Sequence, residues 1–400
     1  MKKFSEPQRE KISCIYCGDA PIHHGFFYFS SLIATTFDNH IVKVTRHAPL
    51  FMRDFVDWLL ATFFEIFLFF HLATLSDDIE QAKTFRSRVI WEEAKRRGIK
   101  IQQLMIWGRS LDQYRIIEKG KVNYFNSLPI PSRFLNMDKN WDDKFMLKKE
   151  FAENNIPIPH YLQFPIFIPQ NIEQIFSKFA KPIIVKPRMG SRGRHTVTNI
   201  HTLEQFRDGI NIAKKICAYL VAEEHLKGDV CRATFVNGKL MGFYRGSAPV
   251  VIGDGVKTGR ELILEKDDKR PDRVEKVLVN KELENHILRS GFKMEDILPF
   301  SLRLSLTHRT GRLFGGVTKE MLDELHPSFL PVLKRAADIV DLPVIGFDVI
   351  IEDPTKPADS QRWGIIECNT LPFIDLHYYA LSGKPQNIAG AIWDIWNSGL

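Results

Sequence analysis

The stretch at residues 181–197, KPIIVKPRMGSRGRHTV, joins a short apolar run to a lysine and a basic glycine loop. The run at 183–185 predicts a strand, and Lys186 follows it directly. Gly190 and Gly193 stand among three arginines, and a loop of this kind can bring backbone N–H groups close to phosphate oxygens. The pattern predicts a lid over phosphates, with a solvated basic turn as the alternative.

Two apolar runs near the C-terminal end carry acidic residues. They are LPVIGFDVII at 342–351 and RWGIIECNTLP at 362–372, and both predict buried strands. If the two pair antiparallel about residues 357 and 358, Asp348 lies opposite Glu367, and Asn369 shares the face of Glu367. Two carboxylates and an amide suit Mg²⁺, whereas the alternative is a pair of hydrogen-bonded polar residues at strand ends.

Composition limits the partners and the cellular compartment. The 400 residues include 55 Lys and Arg against 48 Asp and Glu, a net charge of +7. Because the basic residues are dispersed, the excess suits a small anionic ligand, and no nucleic-acid partner is expected. Five irregularly spaced cysteines predict no disulfide framework and favour the cytoplasm. The polar start, MKKFSEPQREKIS, predicts no signal peptide.

A Cys-x-x-Cys turn lies close to the N-terminus. Cys14 and Cys17 can place two thiolates on one Zn²⁺, and His23 and His24 follow closely enough to complete four ligands. No second Cys-x-x-Cys follows in the sequence, so structural free thiols are the alternative.

The most apolar stretch, FVDWLLATFFEIFLFFHLATL at 55–75, is nearly long enough to span a bilayer. Asp57, Glu65 and His71 interrupt it, and charges near the middle are costly in lipid. Asp57, Ala61 and Glu65 recur every four residues and form a narrow polar stripe on a helix. We therefore expect a helix buried in a core or in a homodimer interface, and no membrane role.

The following residues alternate between helical and strand patterns. We predict an amphipathic helix over 77–98, a strand over 99–107 and a hairpin over 114–125 that turns at Lys119 and Gly120. A second hairpin, over 231–246, turns at Asn237-Gly238, a pair that favours a type I′ turn.

These motifs together resemble the ATP-grasp carboxylate–amine ligase family, and above all the ATP-grasp module of cyanophycin-synthetase-like enzymes. The resemblance covers roughly residues 138–395 and rests on seven motifs in family order: DDKFMLKKEFAENNIPIP, IIVKPRMGSRGRHTV, LVAEEHLKGDVCRATFVNGKLMG, RGSAPVVIGDGVKTGREL, GGVTKEMLDELHPS, GFDVII and IIECNTLPFIDLHYYALSGKPQNIA. It implies an α/β (α+β) chain with an ATP-grasp fold, in which two α+β subdomains clasp ATP. The expected domains are an accessory region at 1–80, a small α/β pre-ATP-grasp domain at 81–137 and the ATP-grasp domain at 138–400.

The resemblance also implies roles for single residues. The implied phosphate contacts are Lys144 and Lys186, and the implied lid residues are Gly190, Ser191 and Gly193. The segment that receives adenine contains Glu223, Glu224 and Leu226. The implied ligands of Mg²⁺, or of Mn²⁺ in its place, are Asp348, Glu367 and Asn369. The implied catalytic arginines are Arg309 or Arg312 near the reacting carboxylate, and Arg245. Where the family carries an acidic residue for ribose, this chain has Val230, with Asp229 one place earlier.

The implied function is an ATP-dependent ligase that joins the carboxylate of an amino acid or peptide to an amine. An acyl phosphate would form first, and ADP and phosphate would be released. Acidic substrates would suit the basic balance of the chain. The resemblance does not extend to the further Mur-ligase-like domain of cyanophycin synthetase, so cyanophycin synthesis itself is not expected. The alternatives are an ATP-grasp kinase and a non-catalytic nucleotide-binding sensor or scaffold.

Overall fold

A computed structural model describes residues 14–18, 21–46, 49–118, 120–135 and 139–398. Lys119 of the predicted hairpin turn and the predicted domain boundary at 137/138 lie outside these residues. The helices are α1 His24–Arg46, α2 Leu50–Phe69, α3 Phe85–Arg96, α4 Lys144–Glu153, α5 Ile172–Ser177, α6 Leu203–Ala213, α7 Gly259–Asp268, α8 Lys281–Arg289, α9 Leu330–Val340 and α10 Ile388–Ser398.

The strands form three antiparallel sheets and a two-stranded ribbon within the described residues. The first sheet has the order β1 Ala73–Ser76, β2 Ile101–Ile106, β3 Arg109–Glu118, β4 Lys121–Asn126. Next along the chain come β5 Tyr161–Pro165, β6 Ile183–Pro187, β7 Val197–Ile200, β8 Tyr219–Glu224, β9 Asp229–Val236 and β10 Lys239–Gly246. The remaining strands are β11 Val250–Ile252, β12 Arg303–Ser305, β13 Thr318–Glu320, β14 Val344–Ile351 and β15 Gly364–Asn369.

The first sheet is covered by α3 and by the C-terminal helix α10. Trp393 of α10 is fully buried, and its indole Nε1 donates to the carbonyl of Ile90, 3.0 Å away. The helix predicted over 77–98 begins later, at Phe85, because the Thr84 side chain accepts from the Ser87 amide and caps it there. The predicted strand and the first hairpin are confirmed as β2 and as β3 with β4. Strand β1 pairs with β2 in this sheet, although it lies before the expected domain boundary at residue 80.

Helix α2 has an unusual orientation on this sheet. Its polar stripe faces the protein: Asp57 accepts from the Ser132 hydroxyl at 2.6 Å, and Glu65 accepts from Arg115 Nε and the Tyr124 hydroxyl, both at 2.7 Å. The apolar side is turned outward, and Phe51, Phe55, Trp58, Leu59, Phe63, Ile66 and Phe69 are exposed. The core alternative of the prediction is therefore wrong, because the side that carries the carboxylates contacts the protein, where Phe64 also packs on Tyr124.

No helix in the described part of the chain combines the length and the apolar character that a bilayer crossing requires.

The second sheet has the order β5-β8-β6-β7, and α5 and α6 pack against it. Its core contains Val185, Ile200 and Phe206, all of them fully buried. The strand predicted at 183–185 is confirmed as β6, which ends with Lys186 and Pro187. This sheet therefore places Lys186 next to the glycine loop, residues 188–195.

The third sheet has the order β13-β10-β9-β14-β15. One face packs on α4 and α9 through Ala233, Phe235 and Phe347, and the alternate residues, Arg232 and Asp348 among them, point to the other face. Asn237 and Gly238 have φ values of 51° and 71°, which confirms the predicted I′ hairpin between β9 and β10. The mixture of helices with antiparallel sheets confirms the predicted α+β class.

Candidate active site

Three lysines and one glutamate from helix α4 and strands β6 and β8 meet inside the protein. Lys148 of α4 and Lys186 of β6 each lie 2.9 Å from a different carboxylate oxygen of Glu223 on β8. Lys148 is 0% exposed and Glu223 is 1% exposed. Lys144 lies one helical turn before Lys148 on the same helix. The cluster holds more positive than negative charge, which an anion can balance.

The protonation of this cluster follows from its burial. Burial lowers the pKa of Lys148 to about 8, although the nearby Glu223 carboxylate partly opposes this shift. Burial alone would raise the pKa of Glu223, but the charges of Lys148 and Lys186 outweigh it, and the pKa is lowered. Glu223 is therefore ionised and shared between two ammonium groups.

The first turn of helix α4 contacts the glycine loop. Asp143 caps the helix by accepting from the amides of Phe145 and Met146, and it also pairs with the buried Arg188 at 2.5 Å. The Lys144 ammonium donates to the carbonyl of Gly190 and lies 3.4 Å from Glu367 Oε1. The start of α4, the glycine loop and β15 are therefore linked through short side-chain contacts.

The acidic residues predicted to converge do so. In the β14–β15 pair, Asp348 lies opposite Glu367, which confirms the register predicted from the sequence. The Asn369 side-chain amide is 3.4 Å from Asp348 Oδ2. Burial raises the pKa of Asp348, against the opposing charge of Arg232. Two carboxylates and one amide with free oxygen lone pairs form a donor set that a hard divalent cation accepts.

Beside these carboxylates is a cavity of about 160 Å³. Its lining residues are Val230, Arg232, Tyr244, Thr310, Asp348 and Leu376. Arg232 is buried and contacts Asp348 through two hydrogen bonds, of 2.5 Å from Nε and 3.0 Å from Nη2. A small polar molecule in this cavity would therefore lie next to both a guanidinium and the acidic set.

The glycine loop, residues 188–195, has two glycines with positive φ: 129° at Gly190 and 63° at Gly193. Ser191, between them, is exposed. The backbone carbonyl of Arg192 accepts from Arg309 Nη1 at 2.7 Å. One edge of the loop therefore faces solvent, and the other is fixed to the protein.

The three predicted catalytic arginines are not equivalent. Arg309 is buried, and its guanidinium pairs with Glu282 at 3.1 Å. Arg245 pairs with Asp229, with Nη2 2.7 Å from the carboxylate. The Arg312 guanidinium lies 5.8 Å and 5.9 Å from the ring centres of Phe85 and Tyr379. The structure therefore does not bring these arginines together.

The predicted adenine segment is the end of β8 and the residues after it. Glu223 points into the lysine cluster, while the Glu224 carboxylate turns away and accepts from Arg362 at 2.7 Å. Alternation along the strand explains the difference, since successive side chains point to opposite faces. Leu226 is buried. The backbone of this segment runs beside the cluster.

Sequence reasoning missed Lys148 and Arg232. Lys148 is one of three lysines in KFMLKK and has no distinguishing local signal. Arg232, in contrast, interrupts the otherwise apolar strand VCRATFV, and a charge in a predicted buried strand indicates a buried partner. His377, close to the C-terminal end of β15 in the sequence, is a core residue, hydrogen bonded to Glu320 at 2.6 Å and to Thr234 at 2.7 Å.

The chain is similar in sequence to two kinds of synthetase. It is 26% identical over 263 residues to cyanophycin synthetase of Synechocystis sp., which covers 63% of this chain and 30% of that protein. It is 25% identical over 323 residues to the glutathione biosynthesis bifunctional protein GshAB of Listeria monocytogenes, which covers 77% of this chain and 40% of that protein. No protein-family model matches the chain.

Among the solved structures to which the chain is similar is a bifunctional glutathione synthetase from Pasteurella multocida, with a TM-score of 0.47 and 19% identity, covering 79% of this chain and 43% of the other. The sequence similarities confirm the predicted resemblance to cyanophycin-synthetase-like enzymes. The chain spans about 30% of the length of the cyanophycin synthetases that it matches.

Proposed function

We propose that this protein is an ATP-dependent ligase of the ATP-grasp type that joins a carboxylate to an amine through an acyl phosphate. One observation carries the proposal: a buried lysine cluster reaches the set of Asp348, Glu367 and Asn369, and Asp348 also lines a polar cavity. Lys144 connects the two, since its ammonium is 3.4 Å from Glu367. This is the charge arrangement that phosphoryl transfer from a nucleoside triphosphate requires.

Lys144 and Lys186 would contact the phosphates, and their ammonium groups would stabilise the charge that builds up on the transferred phosphoryl group. The backbone of Gly190, Ser191 and Gly193 would cover the phosphates from the opposite side. The solvent-facing edge of this loop favours such a movement. Closure would exclude water, which is necessary because an acyl phosphate in open solvent is hydrolysed.

The nucleoside would lie along the backbone after β8, against Glu223, Glu224 and Leu226. Glu224 then contributes through its backbone, because its carboxylate is paired with Arg362 on the other face. Asp229 is the proposed ribose contact. Since Arg245 already donates to its carboxylate at 2.8 Å, we assign Arg245 the role of orienting Asp229.

Asp348, Glu367 and Asn369 would hold Mg²⁺ or Mn²⁺, since all three offer hard oxygen ligands. A divalent cation bound there supplies charge neutralisation for the phosphoryl oxygens. Arg232 fixes the Asp348 carboxylate in place through two hydrogen bonds.

The carboxylate substrate would enter the cavity beside Arg232, where Tyr244 and Thr310 offer hydroxyl groups. An amino acid or peptide, including an acidic one, suits a cavity with a guanidinium in its wall. The Arg309 guanidinium pairs with Glu282 and donates to the backbone of the glycine loop. Its proposed role is therefore to position that loop. Arg312 remains the proposed contact to the reacting carboxylate.

The proposal is tested by measuring ADP and phosphate release with Mg²⁺-ATP against a panel of amino acids and dipeptides, with mass spectrometry of the products. We expect a dehydrated conjugate that disappears in Glu367→Gln. The control is Glu324→Gln, which removes an exposed carboxylate paired with Lys319. A stable phosphorylated product would instead support a kinase. ATP binding with no turnover on any substrate would support a nucleotide sensor.

We also propose a homodimer that packs through the outward face of α2. Large apolar side chains exposed in such number usually mark a contact surface. The helix carries a single arginine and no lysine, so it lacks the basic cluster that would attract it to an anionic lipid surface. Light scattering should give twice the chain mass, and Leu59→Glu with Phe63→Glu should give a monomer. A monomeric wild type, or binding to anionic vesicles, would contradict the proposal.

The three-domain division and the cytoplasmic location remain predictions. The cysteines of the described residues are all free thiols, which favours a reducing compartment.

A further inference from the structure

Four potential metal ligands from two distant parts of the sequence meet beside the glycine loop. They are Cys14 and Cys17 in the N-terminal turn, His24 at the start of α1, and His195 at the end of the loop. One ligand atom from each lies within 4.8 Å of all the others. We propose that these four side chains bind one structural Zn²⁺, which joins the N-terminal segment to the loop.

Three of the six ligand–ligand distances are close to the edges of a tetrahedral zinc site. With Zn–S near 2.3 Å and Zn–N near 2.0–2.1 Å, the sulfur–nitrogen edges of the tetrahedron are about 3.5–3.6 Å. The corresponding distances are 3.5 Å from Cys14 to His195, 3.6 Å from Cys17 to His195 and 3.2 Å from Cys17 to His24. Four ligands with no open position are typical of structural rather than catalytic zinc.

The histidines are oriented for this role. His195 Nδ1 is 2.7 Å from the carbonyl of Ile212, so Nδ1 carries the proton and Nε2 directs its lone pair at the sulfurs. His195 is fully buried. His23, which the sequence offered equally with His24, instead accepts from the Phe26 amide and is exposed. The second histidine ligand therefore comes from the glycine loop, 181 residues after Cys14.

Hydrogen bonds hold the backbone around the cluster in place without the metal. The His195 amide donates to the Tyr16 carbonyl at 3.0 Å, and the Cys17 amide donates to the Cys14 carbonyl at 3.2 Å. Arg309 donates to the carbonyls of both Tyr16 and Arg192, which joins the turn to the loop. A side chain at Gly18 would meet this guanidinium at 2.7 Å. Zn²⁺ binding displaces the two thiol protons and adds four bonds to this prearranged pocket.

A zinc ion at this site would also restrict the movement of the glycine loop. This part of the inference rests on the proposed function. Residues 190–193 would form the phosphate lid, and His195 fixes their C-terminal end. Zinc at His195 would limit the movement of the lid to its glycines and stop the whole segment from opening. Zinc binding and ligase activity can fail separately, so the metal is measured directly.

The test is the zinc content of the purified full chain, measured by inductively coupled plasma mass spectrometry after expression in zinc-supplemented medium. We expect one Zn²⁺ per chain in the wild type and in the control His23→Gln. His24→Gln and Cys14→Ser should lose it. His24 is only partly buried, so this variant is expected to fold even if Cys14→Ser does not. A metal-free wild type, or a His24→Gln variant with full zinc content, would overturn the proposal.

Two further readouts separate zinc from other chemistry. Cobalt substitution should give thiolate-to-metal absorption in the wild type and none in Cys14→Ser. Intact-mass analysis should show reduced cysteines, whereas a Cys14–Cys17 disulfide in the freshly purified chain would overturn the proposal.

Chelation of the zinc should increase amide hydrogen exchange in residues 190–195 and leave the third sheet unchanged. Unchanged exchange in the loop would refute the effect on the lid.

Discussion

Arg232 and Asp348 lie directly opposite each other on β9 and β14 and form a bidentate ion pair. The pair is largely buried, with side-chain exposures of 10% and 14%. Asp348 thus has its position fixed by a guanidinium before any cation arrives. A cation held by this residue would share it with Arg232, so we expect the pair to influence both the stability of the sheet and the geometry of the acidic set.

Arg232→Met should destabilise the protein by about 3 kcal/mol, because it leaves a buried carboxylate without its partner. Arg207→Met removes an exposed pair with Glu173 and should cost at most about 1 kcal/mol. Urea unfolding measures both. Mg²⁺-ATP should stabilise Arg232→Met more than the wild type, since the cation can replace the lost charge. Equal losses in the two variants would show that the pair has no special role.

Glu223→Gln should also lower the free energy of unfolding by about 3 kcal/mol, because Lys148 and Lys186 would then face each other without a shared carboxylate. The adjacent Glu224→Gln is the matched control: its partner Arg362 is half exposed, so we expect about 1 kcal/mol or less. Urea unfolding at pH 7.5 compares them. If the two variants were equally stable, the buried cluster would not depend on Glu223.

Lys144→Ala should weaken ATP binding at least tenfold, since a charge-assisted contact is worth about 1.5–3 kcal/mol. Lys149→Ala changes an exposed lysine on the same helix and should bind ATP like the wild type. Isothermal titration calorimetry with Mg²⁺-ATP gives the dissociation constants. The phosphate assignment fails if Lys144→Ala retains the wild-type constant.

Acid should destabilise the protein through His286. Burial lowers the pKa of this residue to about 3, from an ordinary value near 6.5, with a smaller contribution from Arg289. Between these values the unfolded chain binds the proton and the folded chain does not, so stability falls as pH falls through this window. At pH 5 the loss is about 2 kcal/mol relative to pH 7.5.

His286→Gln removes this proton-binding site, so its stability should fall less than that of the wild type between pH 7.5 and pH 5. Urea unfolding at both pH values gives the difference. His201→Gln, at an exposed histidine, is the control and should behave like the wild type. An unchanged pH dependence in His286→Gln would contradict the assignment.

Much of the site followed from local sequence. The positions of Asp348 and Glu367 on two apolar runs were enough to give their register, because a strand alternates faces with period two. The hairpin at Asn237 followed from turn chemistry. The buried role of Lys148 did not follow, because it depends on a contact with β8 that is 75 residues away in the sequence. The proximity of His195 to Cys14 could not be predicted for the same reason, since 181 residues separate them in the sequence.

The outward face of α2 shows a second limit of prediction from the sequence. The stripe of Asp57, Ala61 and Glu65 was visible in the sequence, but its direction was not. Periodicity separates two faces of a helix and does not say which one contacts the protein. Here Arg115 and Ser132 decide the orientation, and both lie in other elements.

The central claim is that a substrate carboxylate is activated by phosphoryl transfer from ATP. The most direct test uses the acid substrate found by the product screen, with its carboxylate labelled with ¹⁸O. The account predicts one ¹⁸O atom in the released inorganic phosphate for every amide formed, and ADP as the nucleotide product. Label recovered in AMP, or phosphate without label, would contradict it.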